Sequence, residues 1–193
     1  TVGTFTNPEN YYDTTCFTYK SSPGIKNSFS DLHILHSPEI PLHTWCNLEI
    51  HADSIPEVLR SKSLVVKASD QLEIKSVGGA WDNGWVKTQI REFGKYCVMA
   101  DTAAPRIVPV NISANKNMSA ENSIRIKITD DLSGINTYTG RLNGEWILMN
   151  YDAKNDLLTY LFDEKLKKGS NTFEFTVSDK KNNVSNLRVN LIY

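Results

Sequence analysis

"SIRIKIT", residues 123 to 129, sets isoleucines at 124, 126 and 128 against Arg125 and Lys127. Successive side chains of an extended chain point to opposite faces, so this alternation reads as a strand with one apolar and one wet side. "NTFEFTVSD", 171–179, repeats it, with Phe173, Phe175 and Val177 on one face and Glu174 and Thr176 on the other. "NLRVNLIY" does so again with Leu187, Val189 and Leu191. Helical periodicity is nearly absent. The one candidate is "DSIPEVLRSKS", 53–63, where an Asp or Ser cap precedes Pro56 and Glu57, and it amounts to a turn or two. The expected fold class is all-β, built as two tandem β-sandwich domains.

Working outward from 123–129, the C-terminal part divides into about seven strands: 106–112, 123–129, 135–142, 145–151, 157–162, 171–178 and 184–192. Turn signals separate them: "DDLSG", "LNGE", "YDAKND", "LKKGSN" and "DKKNN". Seven short strands within about 90 residues predict an immunoglobulin-like sandwich for 102–193. Asn143-Gly144 is the dipeptide that best tolerates the positive φ angles of a tight hairpin. The boundary falls at "DTAAPRI", 101–107, because proline cannot donate to a ladder and restricts the residue before it. Residues 1–101 form the other, less regular sandwich. Its strand candidates are "TTCFTYKSS", "LHTWCNLEIHA", "SLVVKAS", "QLEIKS", "GWVKTQIR" and "GKYCVMA", with a second Asn-Gly turn in "WDNGW" and a poorly patterned stretch from 22 to 41.

Composition narrows the function classes. The 193 residues are 40% hydrophobic and 22% charged, with a net charge of −1, so nothing electrostatic favours nucleic acid or an anionic membrane as partner. No apolar run approaches the roughly 20 residues needed to span a bilayer, and no transmembrane segment is expected. The opening "TVGTFTNPEN" has no initiator Met and reads as a mature chain or a segment of something longer. Cys16, Cys46 and Cys97 lack metal-binding spacing, and buried free thiols are the simplest reading of them.

Candidate chemistry is scarce. Asp130 and Asp131 in "ITDDLSGI" end an alternating strand just before Gly134, which is turn chemistry. A calcium loop would need further carboxylates at fixed offsets, and a glycosidase pair would need two across a cleft. His33, His36, His43 and His51 form neither HExxH nor HxH, and "GxSxG" is missing. No catalytic residue, metal ligand or cofactor is therefore expected. Alternation along 42–50 turns Leu42, Cys46, Leu48 and Ile50 inward and His43, Trp45, Glu49 and His51 outward. His43, Trp45 and His51, with Trp81 and Trp85 flanking the Asn-Gly turn, are the candidate ligand or inter-domain contact surface, since aromatics on a sheet face can stack on sugar rings.

A resemblance extends over nearly all of the chain. Pro41-Leu42-His43, Asp53-Ser54-Ile55-Pro56, Gly78-Gly79-Ala80-Trp81, Phe93-Gly94-Lys95-Tyr96 and Asp101-Thr102-Ala103-Ala104-Pro105 are the features carrying it. They resemble the region that follows the catalytic domain in bacterial lysostaphin-type zinc endopeptidases. The downstream "DDLSGI" to "DKKNN" is similar to the immunoglobulin-like domain ending those proteins. The family's zinc ligands come from HxxxD and HxH motifs, and neither exists here. The resemblance thus implies a non-catalytic accessory region (spacer, docking or regulatory) of a cell-envelope peptidoglycan metallo-endopeptidase. Its peptidase domain would lie upstream in the same polypeptide, in the bacterial cell envelope, periplasmic or surface-exposed, with peptidoglycan as neighbour. The alternative is a glycan- or peptidoglycan-binding module acting through exposed aromatic residues.

Overall fold

The computed structural model describes residues 1–5, 16–52, 54–71 and 73–193, and it is all-β. Asp53 and Leu72, in the helix candidate and in "QLEIKS", lie outside the described residues, as do the first two residues of "TTCFTYKSS". The chain divides into two compact units, Thr1–Thr102 and Ala103–Tyr193. No helix among the described residues is long and apolar enough to cross a membrane.

The first unit contains β1 (Val2–Phe5), β2 (Tyr19–Ser22), β3 (Leu32–Leu35), β4 (Pro41–His51), β5 (Ser63–Ala68), β6 (Ile74–Gly78), β7 (Ala80–Asp82), β8 (Trp85–Glu92) and β9 (Gly94–Ala100). They form a four-stranded sheet, β1-β4-β8-β7, and a five-stranded sheet, β2-β3-β9-β5-β6. Alternation along β4 buries Leu42, Cys46, Leu48 and Ile50. Val86 and Ile90 of β8 join them against Val65, Tyr96 and Val98 of the other sheet. The β7–β8 hairpin turns at Asn83 (φ 47°) and Gly84 (φ 92°), the paired positive angles for which Asn-Gly is suited.

Three strands of the first unit escape the sequence pattern for physical reasons. β1 and β7 are only four and three residues long, too short for a period to emerge. β3 lies between β2 and β9, inside the 22–41 stretch without pattern. Its Leu32, His33 and Leu35 are all buried, so a histidine stands where alternation offers no cue. The 53–63 candidate becomes a 3-10 helix, Glu57–Lys62, preceded by Pro56 and burying no side chain. Only Leu59 packs against the core, partly buried, and so narrow an apolar face gives little reason to extend.

The second unit contains β10 (Arg106–Pro109), β11 (Lys116–Asn117), β12 (Ser123–Thr129), β13 (Ile135–Leu142), β14 (Glu145–Ile147), β15 (Asn150–Asp152), β16 (Leu157–Leu161), β17 (Ser170–Asp179) and β18 (Val184–Ile192). One sheet runs β10-β12-β16-β15 and the other β11-β18-β17-β13-β14. Apart from β11, which pairs parallel to β18, this is the ABED and GFCC′ strand order of an immunoglobulin-like sandwich. Ile124, Ile126, Ile128, Leu158, Phe173, Phe175 and Val177 fill its core.

The single strand expected over 145–151 is in fact two. β14 pairs with β13, whereas β15 pairs with β16 in the opposite sheet, so the chain changes sheets at Leu148-Met149. Met149 drops into the core at this crossing. Gly140 makes room for it: a Cβ there would stand 2.7 Å from the Met149 sulfur. The β13–β14 turn uses Asn143 (φ 54°) and Gly144 (φ 83°).

The Asn143 side chain ties that turn to the start of β17. Its amide donates to the Asn171 Oδ1 at 2.8 Å, and its Oδ1 accepts from the Thr172 N–H at 2.9 Å. Asn171, 1% exposed, also donates to the Lys167 and Gly169 carbonyls and accepts from the Lys167 N–H. Removing a buried group that satisfies several partners leaves each of them desolvated. Asn171→Ala is expected to destabilise the second unit by about 2–3 kcal/mol, read from its urea midpoint. A change within measurement error would contradict this role.

Candidate functional site

β4 and β8 pair antiparallel, with Ile50 opposite Val86 and Leu48 opposite Thr88 on the inner face. The residues between them point outward as a ladder. His51 stands against Trp85 with ring centroids 4.7 Å apart, Lys87 bridges Glu49 at 3.5 Å and Asp82 at 2.8 Å, and the Gln89 amide donates to Asn47 at 3.0 Å. At the far end the Arg91 guanidinium lies 5.6 Å from the centre of the Trp45 ring, which is 57% exposed. Exposed ion pairs of this kind stabilise little, so they add little to what holds β4 and β8 together.

The five candidate residues therefore separate. Trp45, His51 and Trp85 share this outer face, the last two at one end and Trp45 at the other. His43 is exposed on the same strand, within the irregularity between Pro41 and Cys46. Trp81 is turned the other way. In the two-residue hairpin Asp82 opposes Trp85, so Trp81 opposes the buried Val86 and packs on the core, with Arg60 at 5.1 Å over its ring.

A cleft of about 290 Å³ opens beside Trp45, floored by Val77 and Ile90 and edged by Lys67, Lys75 and Arg91. Lys67 pairs with Glu92 at 2.7 Å. The Tyr96 hydroxyl donates to the Glu92 carbonyl at 2.7 Å, and burial, helped by Glu92, pushes this phenol well above its ordinary range. It is a fixed donor, not an acid or base near neutrality. Lys75 and Arg91 carry no ion pair among the described residues. These cleft residues were not foreseen from the sequence. Arg91 follows the buried Ile90, so its outward face was legible, but its meeting with Trp45 depends on a pairing across more than forty positions.

The other histidines are held by ring contacts. His33, 1% exposed, takes the Tyr19 hydroxyl at Nδ1 (2.9 Å) and stacks on that ring. His36 meets Phe93 edge-on, centroids 5.2 Å apart, and Phe17 at 5.8 Å. Cys46 and Cys97 are buried; burial raises both thiols, Cys97 to about 11. Cys16 corrects the uniform expectation of burial, since it is exposed.

In the second unit Asp130 closes its own turn. Its Oδ2 accepts from the Gly134 N–H at 2.6 Å and the Leu132 N–H at 3.2 Å, and Asp131 is exposed. Asp179 does the same for the next loop, accepting from the Lys181 and Asn183 amides. Both carboxylates act as turn caps.

Burial lowers the His33 pKa, with Asp31 opposing more weakly, so the folded first unit keeps this ring neutral. The unfolded chain binds the proton below about pH 6.5. Stability is thus fully present above that pH and falls as pH drops below it, by up to about 1.4 kcal/mol per pH unit until the folded ring titrates. Urea midpoints of the first unit should fall between about pH 8 and 5.5, and His33→Gln should flatten the dependence. Equal slopes for both proteins would contradict it.

No curated protein matches the chain. Residues 4–101 match the family model described as the Zu5-like domain, which covers nearly all of the first unit, from β1 to the residue after β9. That match takes in more than half of the 193 residues, and the chain accordingly belongs to the Zu5-like domain family.

Proposed function

We propose that this chain is a non-catalytic accessory region of a cell-envelope peptidoglycan metallo-endopeptidase, with the peptidase domain upstream in the same polypeptide. The observation supporting this reading is the use made of the metal-capable side chains. His33 stacks on Tyr19, His36 meets Phe93 edge-on and His51 meets Trp85 edge-on, while Cys46 and Cys97 sit in the interior of the first unit. A catalytic zinc needs about three protein ligands converging on one point with an open position beside them. Ring contacts dispose these imidazoles for packing instead. The work left to such a pair of sandwiches is to space, dock or regulate a neighbour.

A second reading is favoured by one feature, the exposed Trp45 ring beside an open cleft. An aromatic held on a rigid strand can stack on a sugar, so the first unit would anchor the enzyme to peptidoglycan. Both readings give the same outcome in one assay. The isolated chain should leave the turbidity of a peptidoglycan suspension unchanged, and clearance of the suspension would overturn the non-catalytic assignment. Co-sedimentation with the same suspension, lost in Trp45→Ala and retained in a Trp81→Phe control, would select the anchoring role. Absence of co-sedimentation would leave spacing or docking of the peptidase.

A further inference from the structure

Between β10 and β12 the chain of the second unit changes sheets, and three polar side chains meet where it does so. Asn111 lies just beyond β10, beside β12, whereas Lys116 opens β11, which pairs with β18 of the other sheet. Glu121 gives one carboxylate oxygen to each. The Lys116 Nζ donates to its Oε1 at 2.7 Å, and the Asn111 Nδ2 donates to its Oε2 at 2.9 Å. The same Nζ donates to the Asn111 main-chain carbonyl at 2.7 Å, which holds the lysine against the residue that carries the amide. Asn111 is 8% exposed and fixed from its other side: Nδ2 also donates to the Ser123 carbonyl at 2.9 Å, and Oδ1 accepts the Arg125 N–H at 2.8 Å. An amine, a carboxylate touching both partners and a carbonyl already met by a backbone N–H are the parts of an acyl transfer.

We propose that Lys116 and Asn111 join in an intramolecular isopeptide bond, with Glu121 carrying the protons. Glu121 takes a proton from Nζ, and the freed amine attacks the Asn111 Cγ. The negative charge that develops on Oδ1 is met by the Arg125 N–H. As the Nζ–Cγ bond forms and the Cγ–Nδ2 bond breaks, a second Nζ proton passes through the same carboxylate to Nδ2. Nζ thus gives up two of its three protons, and Nδ2 takes both and leaves as ammonium. Atoms and charge balance without a co-reactant. The Lys116 ammonium and the Asn111 amide hold the Glu121 carboxyl below its ordinary range, so the resting state is an ion pair. Attack is open only to the fraction in which the proton has crossed to Glu121, and the bond therefore forms slowly and once. The product fastens β11 and its sheet covalently to the β10–β12 edge of the other.

The test is the intact mass of the full chain, measured unfolded, at purification and after prolonged incubation at neutral pH, together with tryptic mapping. Trypsin cuts after Arg106, Lys116 and Arg125, but not after a lysine whose Nζ is an amide. The parent chain should come to weigh one ammonia less than its sequence, with 107–125 appearing as a single peptide uncut at Lys116. Lys116→Arg should keep its full mass and be cut at that position. Glu121→Gln should form the bond about 100-fold more slowly. The parent measurement decides the bond without relying on any variant. A parent that keeps its full mass, or is cut at Lys116 throughout, overturns the proposal and leaves the three side chains as a polar bridge. Ammonia loss that persists in Lys116→Arg also overturns it, because the loss then comes from an asparagine such as Asn83, before Gly84, closing on its own backbone. Bond formation in Glu121→Gln at the parent's rate would overturn the role given to Glu121.

Discussion

Alternation along β4 is the constraint on which the first unit depends. Leu42, Cys46, Leu48 and Ile50 are sealed from water, and the residues between them are not. A slip of one residue would carry this whole apolar set to the solvent side and bring His51, Glu49 and Trp45 into the core. The register with β8 is held by that penalty far more than by the salt bridges on the outer face. Because the register is held, the outer face is held too. Trp85 must meet His51, Lys87 must meet Glu49, and the end of β8 must carry Arg91 to Trp45. The arrangement of side chains at the cleft is thus a by-product of core packing.

The second unit follows the same rule with different punctuation. Its isoleucines and phenylalanines close the core, and asparagine and aspartate side chains close the turns. Asn143, Asn171, Asp130 and Asp179 each accept or donate to backbone groups that the sheets leave unpaired. Polar residues that look catalytic in isolation are here satisfying the main chain. An unpaired buried amide costs more than a hydrogen bond gains, so such caps are structural necessities.

How much of this was legible depends on the range of the interaction concerned. Period-two patterning announced β4, β8, β12, β17 and β18, and Asn83-Gly84 and Asn143-Gly144 announced two hairpins, because those signals are local. The outward placement of His43, Trp45 and His51 followed from the same period. What stayed hidden needed partners distant in sequence. β14 and β15 read as one strand, since nothing local shows that Met149 leaves one sheet for the other across Gly140. Trp81 and Trp85 looked equivalent until the hairpin register turned one inward and the other outward. The cleft was invisible for the same reason: β4, β5, β6, β8 and β9 all contribute to it.

The central claim is that ring contacts and core packing hold His33, His36, His51, Cys46 and Cys97 for structure rather than for binding a metal. Zinc titration of the full chain, followed by histidine ring signals in NMR, tests it most directly. The account predicts no saturable uptake, with His33 and His36 ring signals unmoved by added zinc. One-to-one binding that shifts two or more of the four histidines together would contradict it.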